Sequence, residues 1–485
     1  MPAQSVMPAC PPAASGCIGA TAGLGVLAAE IPPELVDEVI SLSGCREKRQ
    51  RLLPARAVVY FVLGLCLFSG ADSSVPPGYR SVMRWLTNGV RHLHGLALPT
   101  SSALTRARQR LGPGPLELLF DRRRGPLAGE GTAGAFAFGL RLVAWDGTGI
   151  DVADTPENTR EFGVTQGGNP QVRLLALTEC GTHAVIGAAF DGVERASEHK
   201  LARRLLHALG PGMLLLADRN FAGHELWGLV AAAGADMAWR IKKNLALPPV
   251  EVLPDGSFLS IMPTPAESLR HGQARARGKP LREPPEGHLI RVVEYAVTVA
   301  AADGRTRTEP FRLATTLLDC ERAPAAGLAA IYHERWEIEN GFGELKTRLR
   351  GAGFILRSRT PDLARQEIYA LLTVYQALCA LRAEAATTAG ADPDRVSFTV
   401  TVRVARDHAA AAAAPAGGLA QARRHAIADI LADLLPARRD RQSERVKKPP
   451  RNTFAVKKRG ETPPATRVKY TITITKTEPL PADVS

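Results

Sequence analysis

The sequence predicts an α/β protein preceded by a helical region, and two observations favour this fold class. From Ile31 to about Arg124, apolar residues recur with helical spacing. After a linker at 125–137 that is rich in Gly and Ala, three strand-like runs are followed by a helix, a strand and a helix. This order of elements is typical of an α/β core.

The amino-terminal part of the chain is predicted to form two regions. Residues 1–30 contain much Ala, Gly and Pro and few large apolar side chains, so we expect them to be disordered. Residues 31–125 should form a helical DNA-binding domain, whose last helix carries Arg106, Arg108 and Arg110. This helix could enter a DNA groove, or it could be a solvent-exposed helix that is rich in arginine.

The α/β core is predicted from two segments of the chain, 138–245 and 305–386. Its elements are apolar runs with strand or helix periodicity: strands at 141–152, 172–180, 183–193, 212–218, 237–244 and 311–319, and helices at 199–209, 223–233 and 365–386. Between the two segments, residues 246–304 are rich in Pro and Gly and contain two strand-like pieces, so we expect a β-rich insertion there.

The carboxyl-terminal part is predicted to be helical over 387–436 and to end in a basic, flexible tail over 437–485. The helical prediction rests on an Ala-rich composition. The tail prediction rests on residues 438–459, which hold ten Lys and Arg residues against two acidic ones.

Charge and cysteine content limit the function classes. With 61 Lys and Arg against 48 Asp and Glu, the net charge is +13, which attracts polyanions such as nucleic acid. Seven scattered cysteines without a CxxC pair argue against a disulfide framework and a cysteine zinc site. The most apolar run, 57–68, is too short to span a bilayer. We therefore expect a soluble cytoplasmic protein.

Two aspartates each follow an apolar strand: Asp146 comes after RLVAW, and Asp218 comes after MLLLA. A carboxylate at the end of a buried strand is costly unless it is paired or binds a cation. Ligand sites in open α/β sheets also lie at the carboxyl ends of strands. The structural alternatives are that Asp146 caps a turn and that Asp218 pairs with Arg219.

The segment YHERWEIENGFGELKTRLR, residues 332–350, predicts a helix with a charged stripe beside its apolar face. At about 100° per residue, Tyr332, Arg335, Glu339 and Lys346 fall within an arc of roughly 60°. Arg335 and Glu339 are four residues apart, so the stripe could be a simple ion pair on a helix surface.

Together with the two aspartates, Glu339 would complete a set of hard oxygen ligands suited to Mg²⁺ or Mn²⁺. Two such ions about 4 Å apart can activate a water molecule and stabilise the leaving 3′ oxygen of a phosphodiester. In that arrangement Arg335 and Lys346 would face the phosphate backbone.

These residues resemble the signature of a known family. Asp146 in DGT, Asp218 in DRNF, and the pattern Tyr332-x2-Arg335-x3-Glu339-x6-Lys346 are similar to the insertion-sequence DDE transposases of the Tyr-Arg-Glu-Lys group (insertion sequence four type). The similarity runs from about 31 to 385. It implies an RNase H-like fold with a strand-rich insertion between the second Asp and the Glu. It also implies that the three acids are a catalytic triad that binds two Mg²⁺ or Mn²⁺ ions.

The resemblance further implies a set of DNA contacts. Tyr332, Arg335 and Lys346 would contact phosphates near the transposon end. Trp336 resembles an aromatic residue that related enzymes use to hold an unstacked base, although a partly buried core Trp is the alternative. Arg240 and Lys242 resemble a DNA-contacting strand of the family, and for them the alternative is a solvated edge strand.

The expected function is that of a DNA transposase. It would bind the terminal inverted repeats of an insertion sequence, cleave the element ends with metal-activated water, and join the 3′-OH to target DNA. The resemblance implies cut-and-paste excision by a homodimer. Two alternatives stay open: an RNase H-like, structure-selective DNA nuclease without strand transfer, and a non-catalytic DNA-binding protein.

Overall fold

A computed structural model describes most of the chain. The described residues are 24–49, 51–70, 76–88, 97–165, 168–243, 245–278, 286–301, 306–351, 353, 355–411, 418–436, 441–442 and 466–477. Within these ranges, every helix is too short or too polar to cross a membrane.

The helices of the described chain fall in three groups, before, within and after the sheet. They are α1 (Pro33–Leu42), α2 (Ala55–Leu67), α3 (Tyr79–Leu86), α4 (Ser101–Leu111), α5 (Gly114–Arg123), α6 (Pro156–Phe162), α7 (Glu198–Arg204), α8 (His224–Ala232), α9 (Pro265–Ala276), α10 (Ala325–Ile331), α11 (Trp336–Gly343), α12 (Pro361–Ala389), α13 (Phe398–Ala410) and α14 (Gly418–Ala432).

The strands belong to one large sheet. They are β1 (Phe136–Ala137), β2 (Leu140–Asp151), β3 (Gln171–Glu179), β4 (Val185–Gly192), β5 (Met213–Ala217), β6 (Asp236–Arg240), β7 (Glu251–Val252), β8 (Phe258–Pro263), β9 (Gly287–Ala301), β10 (Thr306–Thr315), β11 (Arg441–Gln442) and β12 (Thr466–Ile474).

The centre of the sheet has the order β4-β3-β2-β5-β6. Strands β2, β5 and β6 are parallel, whereas β3 and β4 form an antiparallel hairpin beside them. Helices α7 and α8 pack on one apolar face of the sheet. Helix α12 packs between the amino-terminal helices and the strand residues of the other apolar cluster. The predicted α/β fold with a helical amino-terminal region is therefore confirmed.

The predicted insertion at 246–304 contains both expected strands. Strand β8 pairs with β9, and β9 pairs with β10 over ten residue pairs. Because β10 also pairs with β6, the insertion extends the central sheet. Its helix α9 was not predicted.

Two predictions at the chain ends are wrong over part of their length. Within the predicted disordered region 1–30, Leu24, Val26 and Leu27 are fully buried against α13 and α14, since a few large apolar side chains are enough to anchor a short turn. Residues 1–23 lie outside the described residues. Within the predicted tail 437–485, strand β12 pairs with β9, and most of 438–459 lies outside the described residues.

Helix α4 does not present its three arginines to solvent in the same way. Arg106 is exposed, but Arg108 is fully buried. Its guanidinium donates hydrogen bonds to Gln366 Oε1 at 2.8 Å and to Tyr79 Oη at 2.6 Å. Arg108 therefore joins the amino-terminal helices to α12 and does not face DNA.

The end of the 332–350 segment is fixed by a buried polar network. Glu344 accepts hydrogen bonds from His183 Nδ1 at 3.0 Å, from Tyr375 Oη at 3.0 Å and from Arg382 Nη1 at 2.6 Å. Nε2 of His183 lies 3.0 Å from Oε2 of Glu337, so the imidazole is held between two carboxylates. The network joins the β3–β4 turn and α12 to this helical segment.

The charges of this network shift two pKa values in opposite directions. Burial acts to lower the pKa of His183, but Glu344 and Glu337 raise it from 6.5 to about 9. Burial acts to raise the pKa of Glu344, but Arg382 and His183 lower it from 4.5 to about 2. At neutral pH, His183 is therefore a buried imidazolium paired with the ionised carboxylate of Glu344.

We predict that Arg108→Met lowers the free energy of unfolding by roughly 3 kcal/mol, because it leaves buried hydrogen-bond partners of a charged group unsatisfied. The exposed Arg106→Ala, on the same helix, should change it by less than about 0.5 kcal/mol. Urea denaturation measures both values. Equal effects of the two substitutions would contradict the buried role of Arg108.

We also predict that the stabilisation by His183 depends on pH. Because folding raises the pKa of His183 to about 9, its contribution is complete below pH 6.5 and is lost as pH rises through about 9. The Glu344 contribution is complete above pH 4.5 and is lost as pH falls through about 2. The pair should therefore stabilise most between pH 4.5 and 6.5.

The test compares the native chain with His183→Asn, since Asn tolerates the left-handed backbone at this position (φ 60°). The free energy of unfolding of the native chain minus that of His183→Asn should shrink by at most about 3 kcal/mol between pH 6 and pH 9.5. The exposed His207→Asn serves as the control. A difference that stays constant with pH would show that His183 is not charged in the folded protein.

Candidate active site

The two aspartates of the predicted triad lie side by side at the carboxyl end of the parallel strands. The register of β2 and β5 pairs Ala144 with Leu216, and two further residues along each strand are Asp146 and Asp218. Asp218 follows the end of β5, as predicted. Asp146 does not end its strand, because β2 continues to Asp151 along β3 after β5 has ended.

The carboxylate of Asp146 is in a mainly buried position that disfavours its charge. Burial raises the pKa of Asp146 to about 6, although the Gly147 amide and Arg335 act to lower it. The Gly147 N–H donates a hydrogen bond of 2.8 Å to Oδ1. The negative charges of Glu339 and Glu198 also raise the pKa of Asp146. A cation bound here would remove this electrostatic cost.

Arg335 connects the third acid to the two aspartates. Its Nη2 lies 3.3 Å from Oε1 of Glu339, and its Nη1 lies 3.9 Å from Oδ2 of Asp146. Burial acts to lower the pKa of Arg335, but Tyr332, Glu339, Asp218 and Asp146 together raise it above its ordinary value. Glu339 and Asp146 therefore share one guanidinium, and the charge of Asp218 also acts on it.

The donors at this site fit a hard divalent cation. The charges of three carboxylates act on the Arg335 guanidinium, and carboxylate oxygens are the ligands that Mg²⁺ and Mn²⁺ prefer. The three acids are not drawn tightly together. Among the described residues, the ligand atoms that lie within 4.8 Å of one another belong to His183, Glu337 and Asp394.

That second cluster is not suited to a metal ion. Both ring nitrogens of His183 are bonded to carboxylates, and the pKa of His183 is raised to about 9. An imidazolium has no free lone pair for a metal. The cluster is therefore an ion-pair network that holds the helix.

The helix that carries Glu339 is less regular than predicted. Tyr332–Arg335 form a 3₁₀ turn, α11 follows, and Glu344–Leu349 form a π-helical segment. The prediction of one uniform α-helical stripe is therefore wrong, although Arg335 and Glu339 do meet. Tertiary contacts at both ends override the spacing of an ideal α-helix.

Tyr332 occupies a different position from the one predicted. Its side chain is buried, and its hydroxyl donates a hydrogen bond of 3.1 Å to the Ala217 carbonyl, next to Asp218. Burial raises the pKa of Tyr332 well above its ordinary value. The expected phosphate contact is therefore not available in this conformation, and Tyr332 instead fixes the helix to the end of β5.

Lys346 and Trp336 lie on the accessible side of the site. Lys346 Nζ donates a hydrogen bond of 3.0 Å to Thr148 Oγ1, two residues after Asp146. Burial and Arg350 lower the pKa of Lys346. The ring of Trp336 is 36% exposed, and the Arg335 guanidinium lies 5.0 Å from its centroid. Trp336 is therefore not a core residue.

Arg240 lies next to Asp218 in the strand register, whereas Lys242 lies outside the strand. The parallel register of β5 and β6 pairs Ala217 with Trp239, so the next residues are Asp218 and Arg240. Arg240 is bonded to Glu309 at 2.9 Å and stacked on Phe311. Because β6 ends at Arg240, the predicted alternation onto one strand face does not include Lys242, which is exposed.

Sequence reasoning missed Glu198, a fourth acid near Asp146. A Cβ at Gly147 would lie 2.4 Å from Glu198 Oε1, so a side chain at position 147 would displace the Glu198 carboxylate. In the sequence, the glycine of DGT could have indicated that another group approaches the backbone closely at this position. Nothing in the local sequence around Glu198 indicates which strand it faces.

The comparisons with known families match both parts of the chain. Residues 21–121 match the insertion element 4 transposase amino-terminal region, and residues 137–377 match the transposase DDE domain. The DDE domain is RNase H-like, so the fold implied by the resemblance is confirmed.

The chain is also similar to individual transposases. It is 28% identical over 354 residues to the transposase InsG for insertion sequence element IS4 of Escherichia coli strain K12. This alignment covers 71% of this chain and 73% of that protein. It is 28% identical over 235 residues to the putative transposase InsZ of the same organism, covering 47% of this chain and 75% of that protein.

A solved structure of the piggyBac transposase synaptic complex with hairpin DNA has a TM-score of 0.41 and 9% identity, covering 85% of this chain and 84% of that one. Such a score is too low to equate individual residues.

The two family matches follow one another along the chain, first over the helical region and then over the sheet and its helices. The chain therefore belongs to the insertion element 4 family of DDE transposases, which act on DNA and use divalent metal ions.

Proposed function

We propose that Asp146, Asp218 and Glu339 are the catalytic triad and would hold two divalent cations, Mg²⁺ or Mn²⁺. The observation that carries the proposal is the register of β2 and β5, which aligns the two aspartates, together with the Arg335 contacts to Asp146 and Glu339. When bound, such ions supply an activated water and stabilise the leaving 3′ oxygen of a phosphodiester.

The chain's own cations would orient the DNA strand at this site. Arg335 has five N–H donors in a fixed fork and can exchange a carboxylate for a phosphate. Lys346 lies beside Thr148 and can contact a neighbouring phosphate as a point charge. Trp336 offers an exposed ring on which a base can stack. Arg240 and Lys242 would extend this basic surface along the end of β6, and Tyr332 would hold the helix against β5.

In the proposed reaction, the enzyme binds the terminal inverted repeats, cuts the element ends and transfers the 3′-OH to target DNA. We propose that a homodimer does this at the bacterial nucleoid by cut-and-paste excision. Supplying pre-cleaved transposon ends with target DNA separates transposition from simple hydrolysis. Joined product supports strand transfer, whereas cleavage of substrates without any joining would favour a structure-selective nuclease.

We predict that Asp146→Asn lowers the rate of end cleavage by at least about a thousand-fold, because it removes a charged ligand from the reacting centre. Binding of the terminal repeats should change by less than about three-fold. The exposed Asp154→Asn, on the loop after β2, is the matched control. Single-turnover cleavage and a gel-shift assay measure the two effects.

The Tm distinguishes the loss of a metal ligand from misfolding. Mn²⁺ should raise the Tm of the native chain and of Asp154→Asn, but not that of Asp146→Asn. Without metal, Asp146→Asn should be at least as stable as the native chain, since it removes a carboxylate whose charge is disfavoured by burial. Retained Mn²⁺ stabilisation in Asp146→Asn would exclude this residue as a ligand.

We predict that Lys346→Ala weakens binding of pre-cleaved transposon ends about equally across sequences. It should also reduce the slope of log Kd against log salt by roughly 0.7 to 0.9, the value for one lost phosphate contact. Arg203→Ala, which removes an exposed cation paired with Glu225 on another surface, should leave the slope unchanged. An unchanged slope in Lys346→Ala would contradict the phosphate contact.

A further inference from the structure

The π-helical segment Glu344–Leu349 directly follows the helix that carries Glu339, and it contains Lys346. Its geometry includes a hydrogen bond from the Arg350 N–H to the Leu345 carbonyl, five residues apart, at 3.1 Å. A π turn holds more residues than an α turn, so side chains after it point in a different direction. The position of Lys346 relative to Glu339 therefore depends on this segment.

Such segments are rare in proteins and need support from other elements. Here the support comes from Glu344, the first residue of the π segment. One carboxylate oxygen accepts a hydrogen bond from Arg382 Nη1, and the other accepts from His183 Nδ1 and Tyr375 Oη. Arg382 also donates to the Thr182 carbonyl at 2.8 Å, so the guanidinium is fixed on both sides.

The partners of Glu344 are themselves held rigidly. Tyr375 and Arg382 lie on the long helix α12 and are both buried. His183 lies in the β3–β4 turn, with its other ring nitrogen bonded to Glu337 of α11. Glu344 is therefore bound from two elements that do not move with the helical segment.

The π segment also contacts the strand that carries Asp146. Lys346 is two residues after Glu344, and its Nζ is bonded to Thr148 Oγ1 on β2. Thr148 is two residues after Asp146 on the same strand. A change in the π geometry would consequently move Lys346 away from the strand that carries Asp146.

We propose that Glu344 is a positioning residue for strand cleavage. Held by Arg382, His183 and Tyr375, it fixes the π segment and thereby places the Lys346 ammonium against Thr148, on the strand that carries Asp146. This inference rests on the proposed function, in which Lys346 contacts the DNA phosphate. The alternative is that the network only stabilises the fold, and the two roles predict different kinetics.

The experiment is a double-mutant cycle of Glu344→Gln and Lys346→Ala, measured as single-turnover cleavage at saturating DNA and Mg²⁺. We expect each single variant to lower the rate by roughly 10- to 100-fold. If Glu344 acts through Lys346, adding Glu344→Gln to the Lys346→Ala chain should lower the rate by less than about three-fold further. Losses that multiply would overturn the positioning role.

The cycle also distinguishes this inference from the proposed function. If Lys346→Ala alone cleaves at the native rate, Lys346 has no role in cleavage and the inference fails, whereas the proposed phosphate contact is decided by the salt slope. If Lys346→Ala is slow and the Glu344→Gln loss multiplies with it, only the inference fails. Glu384→Gln removes a different ion pair from α12, the one with Arg423, and should keep the native rate.

A milder variant guards against loss of folding in Glu344→Gln. Tyr375→Phe removes one hydrogen bond to Glu344 and keeps the ring. It should slow cleavage by about two- to five-fold in the native chain and have no further effect in Lys346→Ala. An equal slowing in both backgrounds would assign the network to stability alone.

Discussion

The parallel pairing of β2 with β5 is the constraint on which the site depends. Because Ala144 pairs with Leu216, Asp146 and Asp218 are brought to the same edge of the sheet. Burial removes hydration from the Asp146 carboxylate and raises its pKa to about 6, and the negative charges of Glu339 and Glu198 act in the same direction. The edge therefore favours positive charge, which Arg335 supplies in part and a divalent cation would complete.

The third acid depends on anchors at both ends of its helix. At the start, the Tyr332 hydroxyl is bonded to the Ala217 carbonyl, at the end of β5. At the far end, Glu344 is bonded to α12 and to the β3–β4 turn. The short α-helical stretch with Glu339 lies between these anchors, so its position relative to the aspartates is set by buried polar contacts. Each anchor has a hydrogen-bond partner, which is what makes such burial tolerable.

Several residues show why part of this arrangement was predictable. The strands and helices of the core follow from apolar periodicity. Asp146 and Asp218 are predicted because acids at the ends of apolar strands are unusual, and Glu339 because it lies on a charged stripe beside an apolar helix face. Other assignments failed for a common reason. Arg106 and Arg108 are two residues apart on one helix, yet one is exposed and the other is bonded to Gln366. Leu24 and strand β12 are held by elements far away in sequence.

The sequence by itself determined the types of elements, the identity of the three acids and the spacing of the signature, because periodicity and spacing are local properties of the chain. Only the tertiary structure decided the strand register, the change from 3₁₀ to α to π geometry, and whether Tyr332 and Arg240 face DNA or the protein. Those features depend on contacts between residues that are distant in sequence, such as Tyr332 with Ala217 and Glu344 with His183. No local pattern specifies which distant partner a buried polar group will find.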